Sequence, residues 1–168
     1  MPKAEEQSRR GWHGSPNSHG WDRWVMKQHQ KIVVDNLTPH LRSKVMRSVK
    51  SRDTKPEMFV RKLLHSLGYR YRIHAAAIPG RSRPDIVFRK RKKIILVHGC
   101  FWHVHQDCKG SHLPDSPFWR RKLENNRSRD ARTMSALQKA GWTSLVVWEC
   151  ELENPELLEC RLQNFLGD

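Results

Sequence analysis

The sequence contains no run of about 18 apolar residues, which is the shortest stretch that normally spans a membrane as a helix. Its first twenty residues also lack the apolar segment of about 7 to 15 residues that marks a secretory signal. These absences exclude a membrane-spanning protein and indicate an intracellular one in a thiol-reducing compartment. We therefore expect a soluble chain whose four cysteines form no disulfides.

Acidic residues are scarce beside basic ones, with 17 Asp and Glu against 32 Lys and Arg. The formal net charge is +15 and the sequence pI is about 10.3, so the chain will be drawn to polyanions, of which nucleic acid is the leading one. The basic segments carry few of the large apolar residues that a helix lying on a membrane requires, and we expect no membrane partner.

The 168 residues suffice for one core rather than two. Residues 1–35 are rich in Gly, Ser, His, Asn and charge, and their three tryptophans follow no helical or strand period. We predict a flexible or loosely docked N-terminal extension over residues 1–35 and a single domain over residues 36–168. No internal repeat is visible in either part.

Two helices are predicted at the start of the domain. The first begins at Thr38, which precedes a proline, and the second has Thr54 as its N-cap. Glu57 stands three residues after that cap, the spacing of a capping box, and Gly68 marks the helix end.

Strands and further helices follow in an alternating order. "YRYRIH" predicts an exposed strand, and "DIVF" and "IILVHG" predict a hairpin that begins near Asp85 and ends at His98. A long helix from the cap Ser116 to Gly141, the strand "TSLVVWEC" and an amphipathic helix capped by Asn154 complete the chain. The order ααβββαβα predicts an α/β fold with a mixed central sheet flanked by helices.

Cysteine and histidine are concentrated in "VHGCFWHVHQDC", from Val97 to Cys108. Within it Cys100, His105 and Cys108 have the spacing C-x4-H-x2-C, and Cys150 at a strand end is the natural fourth ligand. Such a set predicts a closed, tetrahedral, structural zinc site. The alternative is reduced buried cysteines beside solvated histidines.

Asp85 is a candidate magnesium ligand, because a carboxylate at the start of a buried strand is costly unless it is paired or binds a cation. The alternative is an ion pair with Arg83 or a turn cap. His98 and His103 could each act as general acid or base. Together with Asp85, in so basic a chain, they favour a metal-assisted phosphodiester hydrolase.

Glu57 has two interpretations that the sequence does not separate. The capping box explains it structurally, whereas a helix N-terminus near the hairpin could also aim it at a metal-bound water.

Phe101 and Trp102 lie between the candidate zinc ligands in a polar loop, where they could stack on bases or wedge between base pairs. They could equally fold back over the zinc. Trp119 is a further candidate wedge, whereas Trp142 and Trp148 are expected in the core. The basic runs "RKRKK" and "WRRKLENNRSRDAR" are expected to contact phosphates.

Seven segments, in this order, carry a family resemblance: "SRDTKPE", "PGRSRPDIVF", "VHGCFWHVHQDC", "FWRRKLENN", "RD", "LQKAGW" and "VVWEC". From about Ser43 to Cys150 the chain resembles the very-short-patch repair (Vsr) DNA mismatch endonucleases. The resemblance implies a fold related to the type II restriction endonuclease, or PD-(D/E)xK, core. It also implies a Mg²⁺-dependent nick 5′ to the thymine of a T:G mismatch in double-stranded DNA, which corrects 5-methylcytosine deamination.

The resemblance also implies roles for individual residues. Magnesium would be held by Asp85 and the backbone carbonyl of Val97, with His98 and His103 as active-site histidines and Glu57 acting through water. The implied zinc ligands are Cys100, His105, Cys150 and, displaced by about one residue, Cys108. The implied intercalating aromatics are Phe101, Trp102 and Trp119.

We accordingly expect a monomer in the bacterial cytoplasm, associated with the nucleoid and with mismatch-repair proteins as candidate partners. Val97 stands where the family has a threonine, "GRSRPD" is two residues longer than the family's "GRPD", and residues 1–35 match nothing in it. Two alternatives stay open: an inactive, zinc-stabilised DNA-binding module, and a nuclease of the same fold that acts on another mismatch or on structured DNA.

Overall fold

A computed structural model describes residues 38–77, 83–106, 108 and 116–167 of the protein. The predicted N-terminal extension, residues 1–35, lies outside these residues, as does most of the turn that precedes Asp85. The helices are α1 (Pro39–Ser48), α2 (Lys55–Ser66), α3 (Pro117–Lys139) and α4 (Pro155–Leu166), with a 3₁₀ helix at Glu149–Glu153. The strands are β1 (Arg72–Ile73), β2 (Ile86–Phe88), β3 (Lys93–His98) and β4 (Thr143–Trp148).

The element order confirms the predicted series ααβββαβα, with the short 3₁₀ helix added after β4. The strands form one sheet in the order β1-β2-β3-β4. The first two pairings are antiparallel, whereas β3 and β4 are parallel, as a long crossover through α3 requires. The predicted mixed sheet flanked by helices is therefore confirmed. None of the helices in the described part of the chain is long and apolar enough to cross a bilayer.

The core lies on the two central strands, whose short apolar runs are buried along most of their length. Runs of this kind occur where both faces of a sheet are covered. On one side a cluster joins the sheet to the end of α3; its buried members are Val87, Ile94, Leu96, Leu137 and Trp142. Trp142 is thus a core residue, as predicted. The packing fixes β3, and so the position of His98 at its carboxyl end.

Helix α2 begins with the predicted capping arrangement. The backbone N–H of Glu57 donates to Thr54 Oγ1 at 3.4 Å, and the Glu57 carboxylate accepts from Thr54 Oγ1 and from the Asp53 N–H. One turn later Arg61, only 6% exposed, donates to Glu57 at 2.9 Å and to Asp53 at 2.5 Å. Its Nη2 also lies 3.1 Å from His74 Nε2, so a buried charge network ties α2 to the end of β1.

The basic hairpin turn is occupied by contacts within the chain. Arg91 and Lys93 donate to the carbonyl of Leu166 at the end of α4, at 2.9 and 2.6 Å. Lys92 lies over the Trp142 ring at 4.8 Å. The turn is at the start of β3, about 17 Å along the strand from His98, so these cations support the fold at the end remote from the candidate site.

Replacing Arg61 by leucine should destabilise the protein, because the buried Glu57 carboxylate would lose its cation while staying buried. We expect Arg61→Leu to lower the free energy of unfolding by about 3 kcal/mol in urea titrations. Lys62→Leu, on the exposed side of the same helix, is the matched control and should change it little. Equal effects of the two substitutions would contradict a stabilising role for the network.

Candidate active site and metal centre

The candidate site is built where β3 and β4 end side by side. In the parallel register the last pair is His98 and Trp148, and Cys100 and Cys150 each follow two residues later. The chain leaves β3 through Gly99, where a Cβ atom would lie 3.1 Å from Trp102 Cδ1, a contact tight enough that the indole would have to shift. The strand pairing therefore delivers a histidine, a tryptophan and two thiols to one edge of the sheet.

The two thiols, together with His105 and Cys108 of the loop after β3, form a candidate metal centre, as predicted. The ligand atoms of Cys100, His105, Cys108 and Cys150 all lie within 4.8 Å of one another. His105 Nδ1 is 3.6 Å from Cys100 Sγ and 3.4 Å from Cys150 Sγ. All four cysteines of the chain are among the described residues and are free of disulfides. Cys160 is not part of this group: its helical spacing with Leu157 suggests a core position on the apolar face of α4, but the residue is exposed.

Burial raises the pKa of the Cys100 thiol, and it raises that of Cys150 in the same way. Without a cation both sulfurs therefore keep their protons at neutral pH. A bound metal ion would displace these protons, because it is the thiolate that acts as a ligand.

Asp85 lies one residue before β2 and is fixed from β3. Its Oδ2 accepts a hydrogen bond from the Val97 N–H at 2.8 Å, which places the Val97 backbone beside the carboxylate. Burial raises the pKa of Asp85, and the negative charge of Glu57 adds to the effect. Glu57 thus fulfils its capping role and also acts electrostatically on Asp85, so the two interpretations of this residue are compatible.

The two predicted histidines lie together. The rings of His98 and His103 stack with centroids 3.8 Å apart and planes 9° from parallel. His103 Nδ1 is 2.5 Å from Oδ2 of Asp130, on helix α3. Burial, reinforced by the charge of His103, lowers the pKa of His98 to about 4, so its imidazole is neutral at pH 7.

Asp130 was missed as an individual residue, because it stands within a basic stretch that suggests a solvated helix face. The four-residue spacing between Asn126 and Asp130 was a signal that could have identified it. Asn126, four residues earlier, is buried and donates to the Trp102 carbonyl at 2.9 Å. Residues at this spacing share one side of a helix, and here that side faces the loop after β3.

The three predicted aromatics also meet, but two of them are buried. Phe101 is 7% and Trp119 is 9% exposed, with ring centroids 5.3 Å apart, and Trp102 packs beside them. Val104 of the loop, Leu123 of α3 and Met46 of α1 complete this group, which we call the aromatic cluster. In this state of the protein the rings pack on one another rather than projecting from the loop.

Trp148 does not behave as the core residue that the sequence predicts. It is half-buried, and its ring stacks on His105 with centroids 4.1 Å apart and planes 3° from parallel. Its ring centroid also lies 5.4 Å from that of His98, with the planes at 76°. Trp148 therefore lies between the candidate metal centre and the histidine pair.

Comparisons with known proteins show which sequences this chain resembles. The sequence profile described as DNA mismatch endonuclease Vsr matches residues 34–110. A type II nicking enzyme, V.XorIIP, from Xanthomonas oryzae pv. oryzae is 48% identical over 136 residues, covering 80% of this chain and 98% of the relative. The DNA mismatch endonuclease Vsr of Escherichia coli is 42% identical over 119 residues, covering 70% of this chain and 74% of that protein.

Among solved structures, the catalytic domain of the homing endonuclease I-Bth0305I is similar, with a TM-score of 0.48 and 22% sequence identity. The match covers 67% of this chain and 94% of that domain. The sequence relatives carry the assignment: the resemblance predicted from the seven segments is confirmed, and the chain belongs to the Vsr family of DNA mismatch endonucleases.

Proposed function

We propose that this DNA endonuclease nicks duplex DNA on the 5′ side of the thymine in a T:G mismatch, in a Mg²⁺-dependent reaction. The observation that carries the proposal is the stacked pair of His98 and His103, with Asp130 on His103, at the carboxyl end of β3. Asp85 is hydrogen-bonded to the backbone of Val97, the residue that precedes His98 on the same strand. A carboxylate for a cation and a pair of imidazoles for proton transfer are what phosphodiester hydrolysis requires. Family membership and a net charge of +15 support DNA as the substrate.

The surroundings of Asp85 fit a magnesium ion. Its carboxylate is held by the Val97 N–H, and the negative Glu57 nearby makes an added cation favourable. Magnesium prefers oxygen ligands, and Asp85 with the Val97 carbonyl would supply them from the protein. Bound there, Mg²⁺ would stabilise negative charge on the phosphate and activate a water molecule. Glu57, already fixed by its cap and by Arg61, would orient that water.

The two histidines would carry out the proton transfers. The Asp130 carboxylate fixes the ring of His103 through Nδ1, which leaves Nε2 as the nitrogen that meets the substrate. His98, neutral at pH 7, can accept a proton or a hydrogen bond from the attacking side. We assign to His103 the opposite task, as proton donor or charge partner for the leaving oxygen.

The metal centre fits zinc in a structural role. A tetrahedral ion with Zn–S near 2.3 Å and Zn–N near 2.0 Å places sulfur and nitrogen about 3.5 Å apart. The separations from His105 Nδ1 to the Cys100 and Cys150 sulfurs are 3.6 and 3.4 Å. With Cys108 the set has four protein ligands and no position open for substrate, so zinc would hold the loop rather than react.

We further propose that Phe101, Trp102 and Trp119 stack on bases or wedge between base pairs at the mismatch. Each such stack contributes about 1 to 3 kcal/mol. Because two of these rings are buried, the aromatic cluster would have to open, with Met46 and α1 moving off it. Cations on α3 are suited to the phosphates: Arg120, Arg121, Lys122, Arg127, Arg129 and Arg132.

The division into an extension, residues 1–35, and an endonuclease domain, residues 36–168, is retained as a proposal. So is a monomer acting beside mismatch-repair proteins at the nucleoid, in the bacterial cytoplasm. Family membership is compatible with both.

A nicking assay on a panel of end-labelled duplexes tests the reaction. With Mg²⁺ the T:G duplex should be cut on the thymine strand only, and Asp85→Asn should slow the single-turnover rate by about a hundredfold or more, because the cation loses its charged ligand. Glu156→Gln, an exposed change on α4, is the control and should retain activity.

Three other outcomes of the same panel would contradict the proposal or favour one of the alternatives. Equal cutting of a T:A duplex would refute mismatch specificity. Binding without a nick in every duplex would favour the inactive DNA-binding module, and preferential cutting of another mismatch or of a branched duplex would favour a nuclease with a different substrate.

Asp130→Asn should slow nicking by about a hundredfold while leaving DNA affinity nearly unchanged, because the amide no longer fixes the His103 tautomer. Single-turnover rates and binding titrations measure the two effects separately. Glu124→Gln, on an exposed position of the same helix, is the matched control. A wild-type rate in Asp130→Asn would remove His103 from its assigned role.

Metal analysis tests the zinc assignment. The purified protein should contain about one zinc ion per chain, and Cys108→Ser or Cys150→Ser should lose it. Cys160→Ser, which removes the exposed cysteine of α4, should retain it. Full zinc content in Cys108→Ser would exclude that residue as a ligand.

A further inference from the structure

Trp148 occupies the space between two groups of side chains that have separate proposed tasks. On one side its ring stacks on His105 of the metal centre, and on the other it meets the ring of His98 nearly at a right angle. His98 in turn stacks on His103, which is anchored to Asp130. The four rings therefore form a continuous packed series from the metal centre to helix α3.

The backbone of Trp148 is fixed independently of its ring. It is the last residue of β4, opposite His98 in the register, and its N–H donates to Glu151 Oε1 at 3.0 Å. Glu151 is itself paired with Arg161 of α4. Only the position of the ring is thus left to the side-chain contacts, and the metal ligand His105 supplies its parallel stacking face.

His98 depends on such packing because its side chain is buried at the end of β3. No carboxylate is recorded as its hydrogen-bond partner among the residues that the structure describes, whereas His103 has Asp130. The contacts that orient the His98 ring are the stack on His103 and the edge contact with Trp148. Aromatic contacts of this kind contribute about 0.5 to 1.5 kcal/mol each, enough to favour one ring orientation over another.

We propose that Trp148 is a positioning residue that couples the metal centre to the catalytic histidines: an occupied centre holds His105, His105 holds the indole, and the indole sets the orientation of His98. The inference rests on the proposed function, because that function gives the orientation of the His98 ring a role in catalysis. It gives the structural metal a part in catalysis without contact with the substrate.

Substitutions at Trp148 test the coupling. Trp148→Leu should lower the single-turnover nicking rate by about tenfold to a hundredfold, because small errors in the position of a reacting group are costly. The Kd for the T:G duplex should change by no more than about twofold. With Co²⁺ in place of zinc, the absorption spectrum of the centre should match that of the wild type. Trp148→Phe retains an aromatic face and should recover most of the rate.

Trp142 provides the matched control, since it is a buried tryptophan of the core cluster at the other end of β4. Trp142→Leu should lower the melting temperature yet nick at the normal rate well below it. The proposal is overturned if Trp148→Leu nicks at the wild-type rate, if Trp148→Phe is as slow as Trp148→Leu, or if the rate loss follows the loss of folded protein equally at both positions.

A measurement without DNA separates this inference from the proposed reaction. In zinc-loaded protein labelled at histidine, the His98 ring should give one sharp NMR signal in the wild type and in Trp148→Phe. In Trp148→Leu the signal should be broadened or doubled. The signal is assigned to His98 by its absence from the spectrum of His98→Gln. An equally sharp signal in Trp148→Leu would refute the coupling even if nicking is confirmed. Disorder of His98 in that variant would support it even if the wild type cut no T:G duplex.

Discussion

The parallel pairing of β3 with β4 is the constraint on which the rest of the site depends. Parallel strands in register bring their carboxyl ends to the same edge, and here that edge carries His98 on one strand and Trp148 on the other. Because the cysteines follow at the same distance on both strands, one metal ion could close both ends together. The helix that makes this pairing possible, α3, also delivers Asp130 and Asn126 to the loop that follows β3. The connection through α3 therefore both makes the strands parallel and places residues of the site.

A second constraint is the burial of charge around α2. The Glu57 carboxylate caps its own helix and accepts a hydrogen bond from Arg61. Burial raises the pKa of Asp85, and the negative charge of Glu57 adds to that effect. A structural ion network and a candidate metal site therefore share one electrostatic environment. Buried charges are costly unless they are paired. Arg61 offsets that cost for Glu57, and a cation would offset it for Asp85.

The sequence predicted the elements well because their signals are local. Caps such as Thr54 and Asn154, and short apolar runs, depend on neighbours a few residues away. The candidate metal centre was also predictable, since three of its four side chains are close in sequence. Asp130, Arg61 and the position of Trp148 were not, because each is defined by a partner on a different element. The contacts of Arg91 and Lys93 within the chain were not predictable for the same reason, because their acceptor, the Leu166 carbonyl, lies more than seventy residues away.

The aromatic cluster sets two properties of the molecule against each other. Phe101 and Trp119 add to the stability of the free protein for as long as Met46 and Leu123 cover them. If these rings are the ones that enter DNA, every contact that strengthens the cluster weakens the complex by the same free energy. Selection for a more heat-resistant enzyme would then favour a slower one. A normally stacked duplex would offer too little stacking energy to release the rings from the cluster.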